Sequence, residues 1–478
     1  MMDGLKPPHL SSRTLRGARA ALLGAACLTL GAQTPLGTLI AEQSRTTFTV
    51  NGAGARAMGL GGAFIAVADD ATAVSFNPAG LAQLLQPEVS LVGRGLSRRV
   101  GYEDIETTGQ GRYLAATDTL STNRRFDPIF ASATAPLHLA GRNLALQVSI
   151  QRVLALNEDS HRSLDETPLP GGTTGPSHLS QTLDQSGQID TYGFAMAYEL
   201  SQRVLVGVSY QQWRGRWDLS SGSVRSTSTG DTRVLYQDAN TLDGENFNLG
   251  LIWRWPTWSL GLVRRTGFHA DYTVAARLDT NLLQGGFSTG PINLGLHWPA
   301  GTGVGFAYRP SDRWLLTADV VHTLWSTMRY MSANTRYNGQ SFFDFDKGGR
   351  TPNATDFHLG AEFLHITAAG AVVPLRMGYS REPQPVVDGV TGAQRIMQRA
   401  SIGTGLKRGR LTLDGAYRYG WASRRASQFL EVDQIRNRMT SKSIGTERID
   451  EHRVDFSVIV QFDRGPVERA LRHLFVGD

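Results

Sequence analysis

The sequence predicts an all-β protein, a transmembrane antiparallel β-barrel of about fourteen strands. Three observations carry this: an N-terminal export signal, period-two alternation through most of the chain, and connections that alternate short and long. The chain has 478 residues, 41% apolar and 19% charged, enough apolar content to bury a core.

The export signal comes first. Arg13, Arg16 and Arg19 form a positive segment, and ALLGAACLTLGA (21–32) is an apolar run too short to span a bilayer as a helix. Cleavage is expected after about residue 32 or 41. Half of the net charge of +6 sits in 1–41, as Lys6 and the three arginines against Asp3. No Lys/Arg cluster with interleaved aromatics follows, which argues against nucleic acid as a partner. The single cysteine, Cys27, lies inside the apolar run, and Gly24 stands where a lipidation site usually has leucine. The mature chain therefore offers neither a disulfide nor a thiolate metal site. No later window supplies about 18 consecutive apolar residues, so spanning helices are not expected.

From residue 88 onward the alternation is plain. In RVDFSVIVQF, Val454, Phe456, Val458, Val460 and Phe462 share one face, and Arg453, Asp455, Ser457 and Gln461 the other. NFNLGLIWRW sets Phe247, Leu249, Leu251, Trp253 and Trp255 against Asn246, Asn248 and Arg254, and RLTLDGAYRYGW sets Leu411, Leu413, Tyr417, Tyr419 and Trp421 against Asp414 and Arg418. Alternation alone fits a soluble sandwich as well as a barrel whose apolar face meets lipid. Connection lengths decide. Strands are expected near 88–103, 127–139, 143–156, 188–200, 203–219, 244–255, 257–276, 291–309, 312–330, 354–368, 371–383, 395–406, 410–423 and 448–462. The even-numbered ones end in short turns, such as 140–142, 201–202, 310–311 and 407–409. The odd-numbered ones end in long polar stretches, such as 157–187, 220–243, 331–353 and 424–447. That is the signature of periplasmic turns and extracellular loops, with both termini periplasmic. Trp213, Trp217, Trp253, Trp255, Trp258, Trp314, Trp325 and Trp421 are expected to form interfacial girdles.

Ahead of the strands lies GARAMGLGGAFIAVADDATAVSFNPAGLAQL (54–84). This segment resembles the N-terminal hatch of the FadL/TodX-like outer-membrane family of long-chain fatty acid and hydrocarbon transporters. INLGLHWPAGTGVGFAYRPSDRWLLTADVVHTLWS (292–326), PLRMGYSREPQPV (374–386) and SIGTGLKRGRLTLDGAYRY (401–419) are similar to the family's strand segments. The resemblance implies a fourteen-stranded barrel with residues 42–87 folded inside it as a plug. It also implies passive uptake of a hydrophobic small molecule, caught among extracellular loops, held in an apolar interior and released sideways into outer-membrane lipid, with the last strand addressing the barrel-assembly machinery. Asn77, Pro78 and Ala79 carry over as the hatch motif. The expected organisation is a signal at 1–41, the hatch at 42–87, the barrel at 88–462 and a periplasmic tail at 463–478.

The residues of the hatch support that reading physically. Gly59, Gly61 and Gly62 allow tight turns and close backbone approach, while Phe64, Ile65, Val67 and Val74 supply apolar packing. Asp69 and Asp70 are expected to accept hydrogen bonds from hatch amides or to pair with lumen arginines such as Arg254, Arg418 or Arg453, because a desolvated carboxylate needs a partner. Arg254, Asp319, Asp414, Arg418, Arg453 and Asp455 are expected to form a lumen charge network. In NLALQVSIQRVLAL (143–156), Arg152 interrupts the series Leu144, Leu146, Val148, Ile150, Leu154, Leu156. It either snorkels from the lipid face at the rim or, with Gln151, marks a bulge at a lateral exit.

Other chemistry fits less well. The glycine cluster lacks the Gly-Lys-Ser/Thr ending of a phosphate loop, and Asp69 and Asp70, as neighbours on extended backbone, point apart. Gly286-Phe287-Ser288-Thr289-Gly290 is followed by Pro291 and a strand, not by the helix a nucleophile elbow needs. The histidines lack metal-ligand spacing. The chain is expected to be no enzyme and to hold no cofactor or metal. The competing reading is a barrel of the same fold acting as a binding or carrier partner in protein secretion, which the polar loop 163–188 keeps open.

Overall fold

The structure is a computed structural model that describes residues 52–109, 112–115, 120–168, 176–281, 286–333, 338–339, 341–342, 351–368, 371–388, 391–433, 438–463 and 465. The export signal, the hatch before residue 52 and nearly all of the expected tail lie outside the described residues.

Among the described residues, 14 antiparallel wall strands follow one another around a closed barrel. They are β1 (Glu88–Gly109), β2 (Leu120–Leu139), β3 (Arg142–Ala155), β4 (Ser177–Ser201), β5 (Val204–Thr227), β6 (Gly230–Arg254), β7 (Trp258–Arg265), β8 (Gly301–Ser311), β9 (Trp314–Thr323), β10 (Ala354–Ile366), β11 (Val372–Val387), β12 (Gln394–Arg408), β13 (Leu411–Asp433) and β14 (Arg438–Gln461). β1 closes the circle on β14, from Glu88 opposite Gln461 to Gly109 opposite Ser441. Closure removes the unpaired edges that no membrane span can expose to lipid.

The alternation is realised as drawn from the sequence. Phe247, Leu249, Phe306, Ile402 and Phe456 stand exposed on the outside, and Phe126 and Met377 are 67% and 65% exposed. Asn246, Ser401, Asp414 and Asp455 are buried inside. A continuous exposed apolar band of this kind is the lipid-facing surface of a membrane barrel. The rim with short turns, called here the near rim, uses tight hairpins. Ala140 and Gly141 have φ of 52° and 73°, the paired positive values of a two-residue hairpin turn.

The wall is taller than its membrane belt. β6 runs for 25 residues, roughly 80 Å of extended chain, whereas about 9–11 residues span a bilayer. Much of the loop expected at 220–243 is therefore strand, with β5 and β6 paired out to Thr227 opposite Gly230. Reading strands by their apolar face stopped where that face leaves lipid, but backbone pairing needs no lipid and continues.

One sector departs from regular wall. The strands expected at 257–276, 291–309 and 312–330 each break at one level, after Arg265, before Gly301 and after Thr323. Beyond the breaks Phe268–Thr280 pairs with β6 and with Leu296–Trp298, burying its large side chains. The far end of the lumen is narrowed by these segments.

The hatch fills the middle. Ala55–Gly59 is a helical turn, and Ala73–Ser75 and Pro78–Gln83 are 3-10 turns, with Ala55, Ala57, Leu60, Phe64 and Leu81 fully buried. The hatch meets the wall at glycines. Gly61 has φ of +67°, and a Cβ at Gly378 of β11 would lie 2.1 Å from the Gly61 amide nitrogen. Gly378→Val is expected to lift the hatch from β11 and open the lumen. Conductance of planar bilayers should rise several-fold while the barrel keeps its heat-modifiable migration on gels; unchanged conductance would show that this contact does not seat the hatch.

Candidate functional site

The hatch is held by polar side chains supplied by the wall. Asp319 of β9, 2% exposed, accepts the amides of Phe64 and Ile65 through Oδ2 at 2.7 and 2.8 Å. Ser457 Oγ accepts the Ala55 amide at 2.6 Å, and His358 Nδ1 lies 2.8 Å from the Gly61 carbonyl. Asn77 caps Pro78–Gln83, its Oδ1 accepting from Ala79 N at 3.1 Å, while its Nδ2 donates to the carbonyls of Ile65 and, across to β6, Leu251. Pro78 suits the first turn because that position needs no amide donor. Irregular backbone is stable at this depth because the wall offers it such partners.

Asp70 accepts a hatch amide, one of the two expected partners, while Asp69 takes arginines other than the three named. Asp69 pairs with Arg56 of the hatch itself, with Arg309 at 3.7 Å, and not with Arg254, Arg418 or Arg453. Asp70 turns back onto Thr72, accepting from its amide and hydroxyl at 2.8 and 2.6 Å. The sequence reading overlooked Arg56, which sits in the hatch and was never weighed as a partner. Arg56 continues through Glu362 and Arg376 to Asp414, at 3.1, 2.6 and 2.6 Å, so the hatch acid joins a wall network by relay. Arg254 lies at the near rim, 3.5 Å from Glu199, outside this network.

A second charged layer lies farther from the near rim. Arg399 pairs with Glu382 and with Glu451, Arg98 and Arg453 also approach Glu451, and Arg94 and Arg418 flank Asp455. Arg98, Glu382, Arg399 and Glu451 went unremarked in the sequence. They were legible in it, since each continues the polar face of a strand already recognised.

Arg152 sits at a real irregularity. Arg152 opposes Asp190 and Leu154 opposes Ile189, so Val153 is an extra residue, a bulge. The bulge shifts the pattern by one. Leu154 and Leu156, expected to face lipid, are buried inside, and Arg152 is not a lone snorkelling charge but pairs with Asp127 at 3.0 Å and Asp190 at 3.2 Å. Ile129 is likewise extra in β2, between Val92 opposite Phe130 and Gly93 opposite Pro128. The β2–β3 ladder stops at Phe130 opposite Gln151. Beyond that pair no ladder joins β2 to β3 among the described residues, and a cavity of about 60 Å³ lies in the interval, lined by Arg125, Asp127, Ile129, Arg152, Val153 and Glu158 among others.

Across the lumen the lining is aromatic. Trp213, Trp217, Phe268, Tyr272, Trp298 and Trp325 are buried in one cluster with Leu154, Leu156 and Leu242. The ring centroids of Trp213 and Trp298 are 4.9 Å apart, and those of Trp213 and Phe268 5.1 Å. Trp213, Trp217 and Trp325 thus form an inward cap instead of the expected girdle, because parity on β5 places Trp213 and Trp217 on the lumen face and the 3-10 turn Trp325–Thr327 buries Trp325. Trp253, Trp255 and Trp258 do stack at the near rim, with centroids 4.1 and 3.8 Å apart. Between cap and hatch is a cavity of about 60 Å³ bounded by Val74, Ser75, Gln151, Val153, Trp213 and Trp298, among others. Val153 borders both cavities.

No family model matches the sequence, and no curated protein matches it. Solved structures do. A FadL homologue of Pseudomonas aeruginosa is 13% identical, with a TM-score of 0.61 over 87% of this chain and 100% of that one. The toluene transporter TodX of P. putida is 14% identical with a TM-score of 0.56, and the toluene transporter TbuX of Ralstonia pickettii 14% with 0.52, each over 87% of this chain and 100% of its own. The fold is that of the FadL-type barrels. At these identities the likeness speaks for architecture, which here comprises the closed 14-stranded wall and the filled lumen.

Within this FadL-type barrel, one arrangement mimics a nucleophile. Ser163 Oγ lies 3.0 Å from His178 Nε2, and His178 Nδ1 lies 2.6 Å from Asp165 Oδ1. The carboxylate is 78% exposed, so the trio is a cross-strand pairing in water and lacks the desolvation that activates a serine. Among the described residues no three His, Cys, Asp or Glu side chains converge as a metal site. A larger hollow, of about 410 Å³, is lined by Asp184, Asp218, Asp238 and Arg277 among others, on the tall wall away from the hatch.

The cap contains a titratable group beyond the membrane belt. Tyr272 donates to Asn240 Oδ1 at 2.7 Å, and Asn240 Nδ2 donates to Asp238 at 2.5 Å. Burial pushes the Asp238 carboxyl up from 3.8 to about 6, against the hydrogen bonds from Asn240 and Tyr236. Because the folded value lies above the unfolded one, the protonated acid is the form the cap accommodates. Its stabilisation is complete below about pH 4 and is lost as pH rises through about 6. Tryptophan fluorescence of the purified barrel is expected to shift with a midpoint near pH 6, and to be flat over that range in Asp238→Asn. A wild-type profile without that midpoint would exclude the coupling.

Proposed function

We propose that the protein carries hydrophobic small molecules, fatty acids or hydrocarbons, passively across an outer membrane of the Gram-negative type. The near rim is assigned to the periplasm and the tall rim to the exterior, where ligand is caught. The aromatic cap admits it to the space above the hatch, and the gap between β2 and β3 releases it sideways into lipid. The observation that carries this reading is the pairing of a blocked axial route with an interrupted wall. The hatch occupies the lumen, while the β2–β3 ladder ends at Phe130 and Gln151 beside two bulges. Val153 borders both the cavity under the cap and the cavity in the gap, so the two adjoin there, and a shift of this side chain would join them.

Two of the similar structures are described as toluene transporters, which agrees with an aromatic-lined capture region. Cavities of about 60 Å³ are smaller than the ~300–1,000 Å³ of pockets that hold small molecules, so the described state is closed and passage requires the cap or Ser75 edge of the hatch to move. The belt is assigned to lipid contact, and the last strand, ending at Phe462, to recognition by the assembly machinery.

Cells expressing the protein are expected to take up labelled oleate or toluene several-fold faster than cells lacking it; equal rates with both would reject the reading. The route is tested by Phe130→Cys with Gln151→Cys, opposite residues whose spacing suits a disulfide. Oxidation is expected to cut uptake about ten-fold and reduction to restore it, since a tenfold change needs only about 1.4 kcal/mol of added barrier. Uptake indifferent to the cross-link would place the exit elsewhere.

A further inference from the structure

The charged layer beside the gap between β2 and β3 holds more arginines than carboxylates. Arg94, Arg98, Arg399, Arg418 and Arg453 share three carboxylates, Glu382, Glu451 and Asp455. Arg418 and Arg453 stand directly opposite on β13 and β14, at 2% and 6% exposure. Like charges so placed repel, and buried guanidinium groups without full hydrogen bonding are costly. Yet several donors here have none. Arg94 Nη2, Arg399 Nη2 and both Nε and Nη2 of Arg418 lack a hydrogen-bond partner. Arg418 Nη2 is 3.6 Å from Asp455 Oδ2, beyond hydrogen-bond reach. Arg453 Nε lies 2.7 Å from Glu451 Oε1 but is not aligned to donate to it.

Two of these incomplete arginines, Arg94 and Arg453, line the cavity in the gap, together with Arg98, Arg125 and Arg152. Its volume of about 60 Å³ exceeds the ~10–15 Å³ that one water needs. Asp127 and Glu158 lie on the same lining, and Asp127 is already paired with Arg125 and Arg152 at 3.2 and 3.0 Å. A tetrahedral anion with several acceptor oxygens suits guanidinium groups that reach one cavity from separate strands.

We propose that this cavity is a binding site for a phosphate-type oxyanion, held by Arg94 and Arg453 and flanked by Arg98, Arg125 and Arg152. Two sources share this chemistry, a lipid headgroup reaching in through the gap and free inorganic phosphate. The site stands independently of the transport reading, since it needs only the arginines and the cavity.

The test titrates the detergent-purified barrel with inorganic phosphate, against chloride at matched ionic strength, and follows thermal unfolding. Phosphate is expected to raise the melting temperature saturably by several degrees, and Arg94→Gln and Arg453→Gln to abolish that response. Phosphorus analysis of the extracted protein separates the sources. Stoichiometric phospholipid or lipopolysaccharide lost in both variants assigns the headgroup; a phosphate response without such lipid assigns the free ion. A wild type that neither responds to phosphate nor retains lipid overturns the proposal, as does a response that survives both substitutions. Should the variants fail to fold, crystals of the wild type grown with bromide decide: an anomalous peak between Arg94 and Arg453 supports the site, and its absence refutes it.

Discussion

The structure depends on the satisfaction of hatch backbone inside the wall. A strand can cross a bilayer because its neighbours take every amide and carbonyl, but the hatch is mostly irregular and has no such neighbours in sequence. The wall supplies them instead, with Asp319 on the amides of Phe64 and Ile65, Ser457 on Ala55 and Asn77 reaching to Leu251. Once the hatch is so held, the lumen is filled and is not an open pore. Hatch backbone and wall side chains are in that sense one design.

The lumen is divided by chemistry as well as by level. The sector of β10 to β14 and β1 presents guanidinium and carboxylate groups in networks, while the sector of β5 to β9 presents rings. Networks of charge at this burial hold a fixed geometry because losing any member strands the others. The ring cluster is held by packing and by a few buried hydrogen bonds, such as Trp213 to Asn246 and Tyr272 to Asn240. The sector tied to the hatch through Arg56 is the charged one.

Much of this was legible in the sequence. Alternation in 244–255, 410–423 and 448–462 assigned both faces correctly, and the hatch motif around Asn77 fell where packing requires it. What escaped follows from one limitation: facing was read from a strict period of two. Where β3 gains Val153 the period fails, so Leu154 and Leu156 were placed in lipid though they point inward. Trp213 and Trp217 look like girdle residues by type, but their parity along β5 sets them on the buried face. The Arg56–Asp69 pair was invisible for another reason: the hatch has no period, so nothing in its sequence says which side chains meet.

The bulge at Val153 also has an evolutionary side. It amounts to one residue more in β3 than β4 can match. Deleting a single codon there would restore strict alternation within β3 and return Leu154 and Leu156 to the outer face, while the bulge at Ile129 of β2 would stay. The facing of the far half of β3 is thus set by one insertion or deletion rather than by a series of substitutions. A change of that kind alters neither the hatch nor any residue of the charged layers.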